Sequence, residues 1–131
     1  MHGRLLDTNA VIALQRGEAA LIRMLDKEEA EWYLSATVLG ELYYGAYRST
    51  RVEDNVAVVD AISQGVVILP IDEHTARLFG EIHQQLRAKG TPIPENDIWI
   101  AATAKQYTLT VVTRDDHFSH VEGLMTATWV E

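Results

Sequence analysis

The sequence predicts an α/β fold with a mostly parallel sheet. Short apolar runs alternate with helical stretches along the whole chain. Val66-Val67-Ile68-Leu69 is apolar throughout, as in a strand covered on both faces of a sheet. With 131 residues, 47% of them hydrophobic and 23% charged, the chain suits a single domain around one core. No repeat, linker or low-complexity tract divides it, so residues 1–131 are expected to form one domain.

Leu5-Leu6 is the first strand and ends at Asp7. Residues 9–16 read as a short helix stopped by Gly17, a residue type suited to a left-handed cap. Residues 18–27 place Leu21, Ile22 and Leu25 at helical spacing. Residues 32–35 form a strand, and Thr37 is the expected N-cap of a helix to Arg48 with Leu39, Leu42 and Ala46 on one stripe. Residues 52–63 repeat the pattern, with Val56, Val59 and Ile62 inward and Gly65 beyond the end. Asp72 caps a long helix to Lys89 that turns Ala76, Phe79, Ile82 and Leu86 inward and closes at Gly90. After a loop with two prolines, Asp97 opens an alanine-rich helix over residues 98–106. Residues 109–113 are a β-branched strand, 114–123 a polar loop, and 125–130 the last strand.

Several classes are excluded early. The longest apolar runs are only a few residues, so none spans a membrane. Asp7 falls too early for a signal-peptide apolar region, and a cytoplasmic protein is expected. Without cysteine there is no disulfide framework, thiolate metal site or cysteine nucleophile. No serine–histidine pairing marks a triad, and no glycine-rich phosphate loop is present. The formal net charge of −8 does not by itself attract a polyanion. It suits a basic partner, metal cations or plain solubility.

The placement of the acids is more informative than their number. Ligands of open parallel sheets bind beyond the carboxyl ends of the strands. Asp7 follows the first strand, and Asp115 and Asp116 follow residues 109–113. Glu41 lies one turn into the helix after residues 32–35, and Asp97 stands at a helix start. Each has an ordinary explanation: Asp7 and Asp97 as caps, Glu41 as a partner of Arg48, Asp115 and Asp116 as turn residues. Capping alone does not explain why four segments deliver acids to one rim. Two carboxylates 4 Å apart repel by roughly 4 kcal/mol at an effective dielectric near 20, so such a cluster must take up protons or cations. Oxygen ligands without thiolate or imidazole favour Mg²⁺ or Mn²⁺, whose retained waters suit phosphoryl chemistry.

Four blocks together carry a resemblance: Leu5-Leu6-Asp7-Thr8-Asn9; Ser35-Ala36-Thr37-Val38-Leu39-Gly40-Glu41-Leu42-Tyr43-Tyr44-Gly45; Ile93-Pro94-Glu95-Asn96-Asp97-Ile98-Trp99-Ile100-Ala101-Ala102; and Val112-Thr113-Arg114-Asp115-Asp116-His117-Phe118. In this order they resemble the PIN-domain ribonucleases, and more closely the VapC toxins of bacterial and archaeal toxin–antitoxin pairs. The resemblance implies a three-layer α/β/α fold with a central five-stranded sheet flanked by helices. It implies Mg²⁺- or Mn²⁺-dependent endonuclease action on structured RNA (a tRNA or a ribosomal RNA loop), with inhibition of translation. It also implies a homodimer and neutralisation by a VapB-type antitoxin, in a larger hetero-oligomer. Asp7, Glu41, Asp97 and Asp115 match the family's acidic tetrad, with Asp116 adjoining the last as an alternative. Thr8 and Thr113 match the hydroxyl residues beside it. On this reading Asp7, Asp97 and Glu41 hold one metal ion, and Asp115 with Asp7 completes a second site or orients a water that attacks phosphorus in line. Arg48, Arg114 and His117 are candidate contacts to RNA or antitoxin.

Other assignments remain beside it. His117 and His120 are either metal ligands or surface-loop residues. Tyr43, Tyr44 and Tyr47 stack on bases or pack between helices or across a dimer. Arg4, Arg48, Arg51, Arg87, Lys89 and Arg114 could line a basic path to the acidic rim. A haloacid-dehalogenase-like phosphatase would need an aspartate where Asn9 stands, and a receiver domain an aspartate where Pro70 follows its strand. A non-cleaving RNA-binding or interaction module on the same fold is the remaining alternative.

Overall fold

The computed structural model describes residues 3–28 and 30–130. Five strands, β1 (Arg4–Leu6), β2 (Trp32–Ser35), β3 (Val67–Leu69), β4 (Thr110–Val112) and β5 (Thr126–Ala127), form one sheet in the order β3-β2-β1-β4-β5, every pairing parallel. Six helices flank it: α1 (Thr8–Gln15), α2 (Ala19–Glu28), α3 (Ala36–Tyr47), α4 (Val52–Gly65), α5 (Glu73–Lys89) and α6 (Glu95–Tyr107). A 3₁₀ turn over Asp116–His120 replaces part of the expected polar loop.

The order of strands places the site. From the central β1 the chain builds outward through β2 and β3, then returns to lay β4 and β5 on the other side. Between β1 and β4 the connections diverge, and ligands of open parallel sheets bind beyond the carboxyl ends of the strands at such a point. Asp7 and Thr113 are the residues that leave those two strands, and the Asp7 N–H donates to Val112 O at 3.0 Å.

Burial explains why these segments adopt these positions. Leu5, Leu6, Val111 and Val112 are fully buried, since β1 and β4 are covered on both faces. β3 is different: Val67 is 59% exposed, because β3 is an edge strand, so its apolar run is not covered on both faces as expected. Helix α6 buries Ile98 and Ile100–Ala104, and its small alanines let it approach its neighbours closely. Truncating a large residue of such a core to alanine costs about 2–5 kcal/mol.

Helix starts differ from the expectation in instructive ways. The cap of α3 is Ser35, not Thr37: its buried hydroxyl accepts the Val38 N–H at 3.1 Å, so β2 runs into α3 without a loop. Asp72 caps α5 as expected, in a capping box with Thr75. In α5 it is Thr75, rather than Ala76, that turns inward, where it meets Gln106. Helix α6 starts two residues before Asp97, after Pro94, whose fixed φ of −56° suits a helix start. Ile22 is exposed while Leu21 and Leu25 are buried, Gly65 closes α4 from within, and the last strand has only two residues.

Candidate active site

Asp7 leaves β1 and becomes the N-cap of α1, with 5% of its surface exposed. Its Oδ1 accepts the Thr8 N–H at 2.8 Å and its Oδ2 accepts the Thr113 hydroxyl at 2.8 Å. The Thr8 hydroxyl in turn donates to Glu41 Oε2 at 3.1 Å. Glu41 Oε1 is buried and has no hydrogen-bond partner among the described residues. A carboxylate oxygen in that state is costly, and it points to a missing donor or cation.

The other two acids come from α6 and from the segment after β4. Asp97 sits in the first turn of α6, where the helix dipole favours a negative charge. Asp115 caps the 3₁₀ turn, its Oδ1 accepting the His117 N–H at 2.9 Å. The His117 ring joins the two: Nδ1 lies 2.9 Å from Asp97 Oδ2 and 3.0 Å from Asp115 Oδ1. The Asp115 N–H donates to the Thr113 hydroxyl oxygen at 2.9 Å, so one threonine touches both Asp7 and Asp115.

The electrostatics follow from this crowding. Burial is the chief cause that raises the Asp7 pKa, and the Asp97 and Asp115 charges add to it against the Thr113 and Thr8 hydrogen bonds. Burial likewise raises Glu41, with the Asp7 and Asp97 charges adding and Thr8 opposing. Asp97 is raised by burial and by Asp115, against its bond to His117. His117 is raised above its ordinary value chiefly by that same bond. Three acids that resist ionisation and one imidazole that favours it describe a rim short of positive charge.

All four acids expected at the rim are therefore linked through hydrogen bonds or mutual charge. Capping and clustering do not exclude each other, since Asp7 and Asp115 do both, whereas Asp97 caps nothing. Glu41 meets Thr8, not Arg48. Asp116 is exposed and contributes only its charge, so Asp115 is the acid the fold turns to the cluster. His117 belongs to the cluster and His120 does not; the carbonyl of His120 accepts from Lys89 instead. The sequence spacing Asp115-x-His117 was the available signal for that inclusion, and the 3₁₀ turn is what realises it.

Arg48 lies at the far end of α3 with its guanidinium 5.3 Å from the Tyr44 ring centre. Arg114 is engaged by Glu18 and by the Trp129 ring. The basic path is not assembled: Arg4 stands at the amino end of β1, away from the acids, and Arg51 pairs with Asp54. Tyr43 reaches Asp60 on α4, while Tyr44 and Tyr47 are 66% and 63% exposed.

The donor set fits a hard divalent cation. It offers carboxylate oxygens from Asp7, Glu41, Asp97 and Asp115, one of them buried without a partner among the described residues, and a cation would reverse the raised pKa values of the first three. Asp97, Asp115 and His117 each bring a ligand atom within 4.8 Å of the others.

An all-parallel five-stranded sheet with acids gathered beyond its carboxyl ends limits the fold family more than the chemistry. Comparison with known proteins identifies that family: the PIN domain family matches residues 4–124. The chain is 34% identical over 128 residues to "Ribonuclease VapC2" of Haemophilus influenzae, covering 96% of this chain and 97% of that protein. It is 32% identical to "tRNA(fMet)-specific endonuclease VapC" of Shigella flexneri, covering 95% and 96%. The crystal structure of DNA-bound VapBC from Salmonella typhimurium superposes with a TM-score of 0.89 at 30% identity, over 99% of this chain and 100% of that one. The chain therefore belongs to the PIN-domain family and, within it, to the VapC ribonucleases. Among the described residues, no helix is long and apolar enough to cross a membrane.

Proposed function

We propose that this protein is the toxin of a toxin–antitoxin pair, an endoribonuclease that depends on Mg²⁺ or Mn²⁺ and cleaves structured RNA. A VapB-type antitoxin would neutralise it. The observation that carries the reading is the buried Glu41 Oε1, without a partner among the described residues, beside Asp7 and Asp97, all three acids having raised pKa values. A protein that only bound RNA would gain nothing from acids facing a polyanion.

Asp7, Glu41, Asp97 and Asp115 would hold the cation. When bound, a divalent cation offsets charge on the scissile phosphate and acidifies a water. The remaining work falls to the chain's own groups. Thr8 and Thr113 fix the two Asp7 oxygens, so the carboxylate cannot rotate away from the cluster. His117 holds Asp97 and Asp115 at one point and carries a proton at Nδ1 that can neutralise either. Asp7 lies behind these groups, almost closed to water, where its charge acts with little screening. In-line attack of water on phosphorus would break the P–O3′ bond, the departing 3′-oxygen taking up a proton, and leave a 5′-phosphate and a 3′-hydroxyl.

The relative from Shigella flexneri makes initiator tRNA the first substrate to test. Purified protein is incubated with initiator tRNA, elongator tRNAs and ribosomal RNA, with Mg²⁺, Mn²⁺ or EDTA, and the ends are mapped. Cleavage of initiator tRNA with either metal and none with EDTA is expected. Undiminished cleavage in EDTA, or by Asp97→Asn, would overturn the reading. Size-exclusion chromatography with light scattering tests the homodimer, with and without the antitoxin.

A further inference from the structure

We propose that Glu18, Arg114 and Trp129 form a positioning clamp that sets Asp115 against the rest of the acidic cluster. The inference rests on the nuclease reading of that cluster and assigns a task to three residues that do not touch it. They come from three distant parts of the chain: the junction of α1 and α2, the segment after β4, and the C-terminal stretch.

The geometry is specific. The Arg114 guanidinium pairs with Glu18 Oε1 and lies 4.3 Å from the centre of the Trp129 ring. The Trp129 indole N–H donates to the same Glu18 oxygen at 3.1 Å, which closes the triangle. Trp129 is 5% exposed, so the cation packs on a ring that the fold holds still. Arg114 precedes Asp115 directly. Apart from this clamp, its backbone N–H reaches Asn9 Oδ1 at 3.3 Å, and Asn9 Nδ2 reaches Thr113 at 3.4 Å. Both bonds are long and between neutral groups, hence weak. Charge-assisted pairs are roughly twice as strong as neutral ones, so the side chain of Arg114 anchors this segment more firmly than its backbone does.

The direct contacts of Asp115 are local. They run to Thr113 and to His117, two residues before and two after it, which are tied in turn to Asp7 and to Asp97. The clamp adds a charge-assisted tie from this segment to the junction of α1 and α2, beside the Thr113–Asp7 and Arg114–Asn9 hydrogen bonds. Arg114 is thus a positioning residue, with one guanidinium nitrogen held by Glu18 and the guanidinium over the Trp129 ring.

The test uses the full chain, initiator tRNA for cleavage and Mn²⁺ alone for binding by electron paramagnetic resonance. Arg114→Lys keeps the charge and loses the planar fork. Glu18→Gln keeps the acceptor and loses the charge, and Trp129→Phe keeps the ring and loses the N–H. The first two are expected to lower kcat about tenfold with KM within about twofold, less than the ~100-fold that a 1 Å misplacement can cost. Trp129→Phe should lower it about threefold, by the same reasoning. Each should weaken Mn²⁺ binding about threefold in the wild type and leave it unchanged in an Asp115→Asn background, because the clamp acts through Asp115. Full kcat in Arg114→Lys and Glu18→Gln overturns the clamp, as does a rise in KM at constant kcat, which would mean RNA contact. Equal Mn²⁺ loss in the Asp115→Asn background also overturns it, because the effect would then be general. Failure of the nuclease reading looks different: Asp97→Asn would cleave at the wild-type rate, whereas the clamp alone fails when Asp97→Asn is inactive and Arg114→Lys is not.

Discussion

The two halves of the acidic cluster are held by different chemistry. On the β1 side, Asp7 is fixed by a backbone N–H and a hydroxyl, both neutral, and Thr8 carries the link on to Glu41. On the α6 side, Asp97 and Asp115 meet at an imidazole ring that is 44% exposed. Neutral donors keep their protons at every pH of interest, so the first half keeps its geometry. The second half depends on a group that titrates and that water reaches. One half is a fixed floor, and the other is an exposed rim.

The largest expected effect is on chemistry. Asp7→Asn and Asp97→Asn should each reduce metal-dependent cleavage about a thousandfold or more, as expected when an interaction made in the transition state is removed. Circular dichroism should stay native, and a folded Asp7→Asn with wild-type cleavage would break the assignment of the floor. Next come the supports of each half. Thr113→Val strips Asp7 Oδ2 and two further groups of their partner, and should lower stability by about 1–3 kcal/mol as well as cleavage. His117→Ala should lower cleavage without that loss of stability, because it sits at the exposed rim. Equal destabilisation in chemical denaturation would erase the distinction between the halves.

A smaller effect is readable in pH. Asp7, Glu41, Asp97 and His117 are all raised, so the folded chain binds more protons at these groups than the unfolded one. Their contribution to stability is therefore greatest in acid. It declines as pH rises through the carboxylate range and then above 6.5, where His117 loses its proton. Without metal, Asp7→Asn should melt above the wild type near about pH 8, and the gap should narrow as falling pH lets the buried Asp7 carboxyl take up its proton. A constant gap as pH falls would mean the penalty is not one of charge. The smallest effect is expected at Asp116→Asn, which should change cleavage less than about twofold, within the range of ordinary surface substitutions.

Much of this fold was legible because local patterns and tertiary demands agree in it. Leu5-Leu6 and residues 109–113 read as strands since both faces of β1 and β4 are buried. Val66–Leu69 reads the same way, yet only sheet order reveals that β3 is an edge, and order is a non-local property. Ser35 escaped recognition as a cap because it also ends β2, and a residue with two roles carries the pattern of only one. Asp7 and Asp115 were visible as acids at strand ends, and Glu41 and Asp97 as acids near helix starts among apolar neighbours. The place of His117 was not, since it depends on a 3₁₀ turn that folds the ring back over Asp115. Arg114 read only as a candidate contact to RNA or antitoxin, because Glu18 and Trp129, which it meets in the fold, lie 96 and 15 positions away, beyond any local pattern.

A hydroxyl group has one proton to give and two lone pairs to offer. That of Thr113 gives its proton to Asp7 and receives from Asn9 and from the Asp115 backbone, so its capacity is used up. Neither solvent nor a passing nucleotide can recruit this atom. It works as a surveyor's pin, a fixed point from which three neighbouring groups take their bearings.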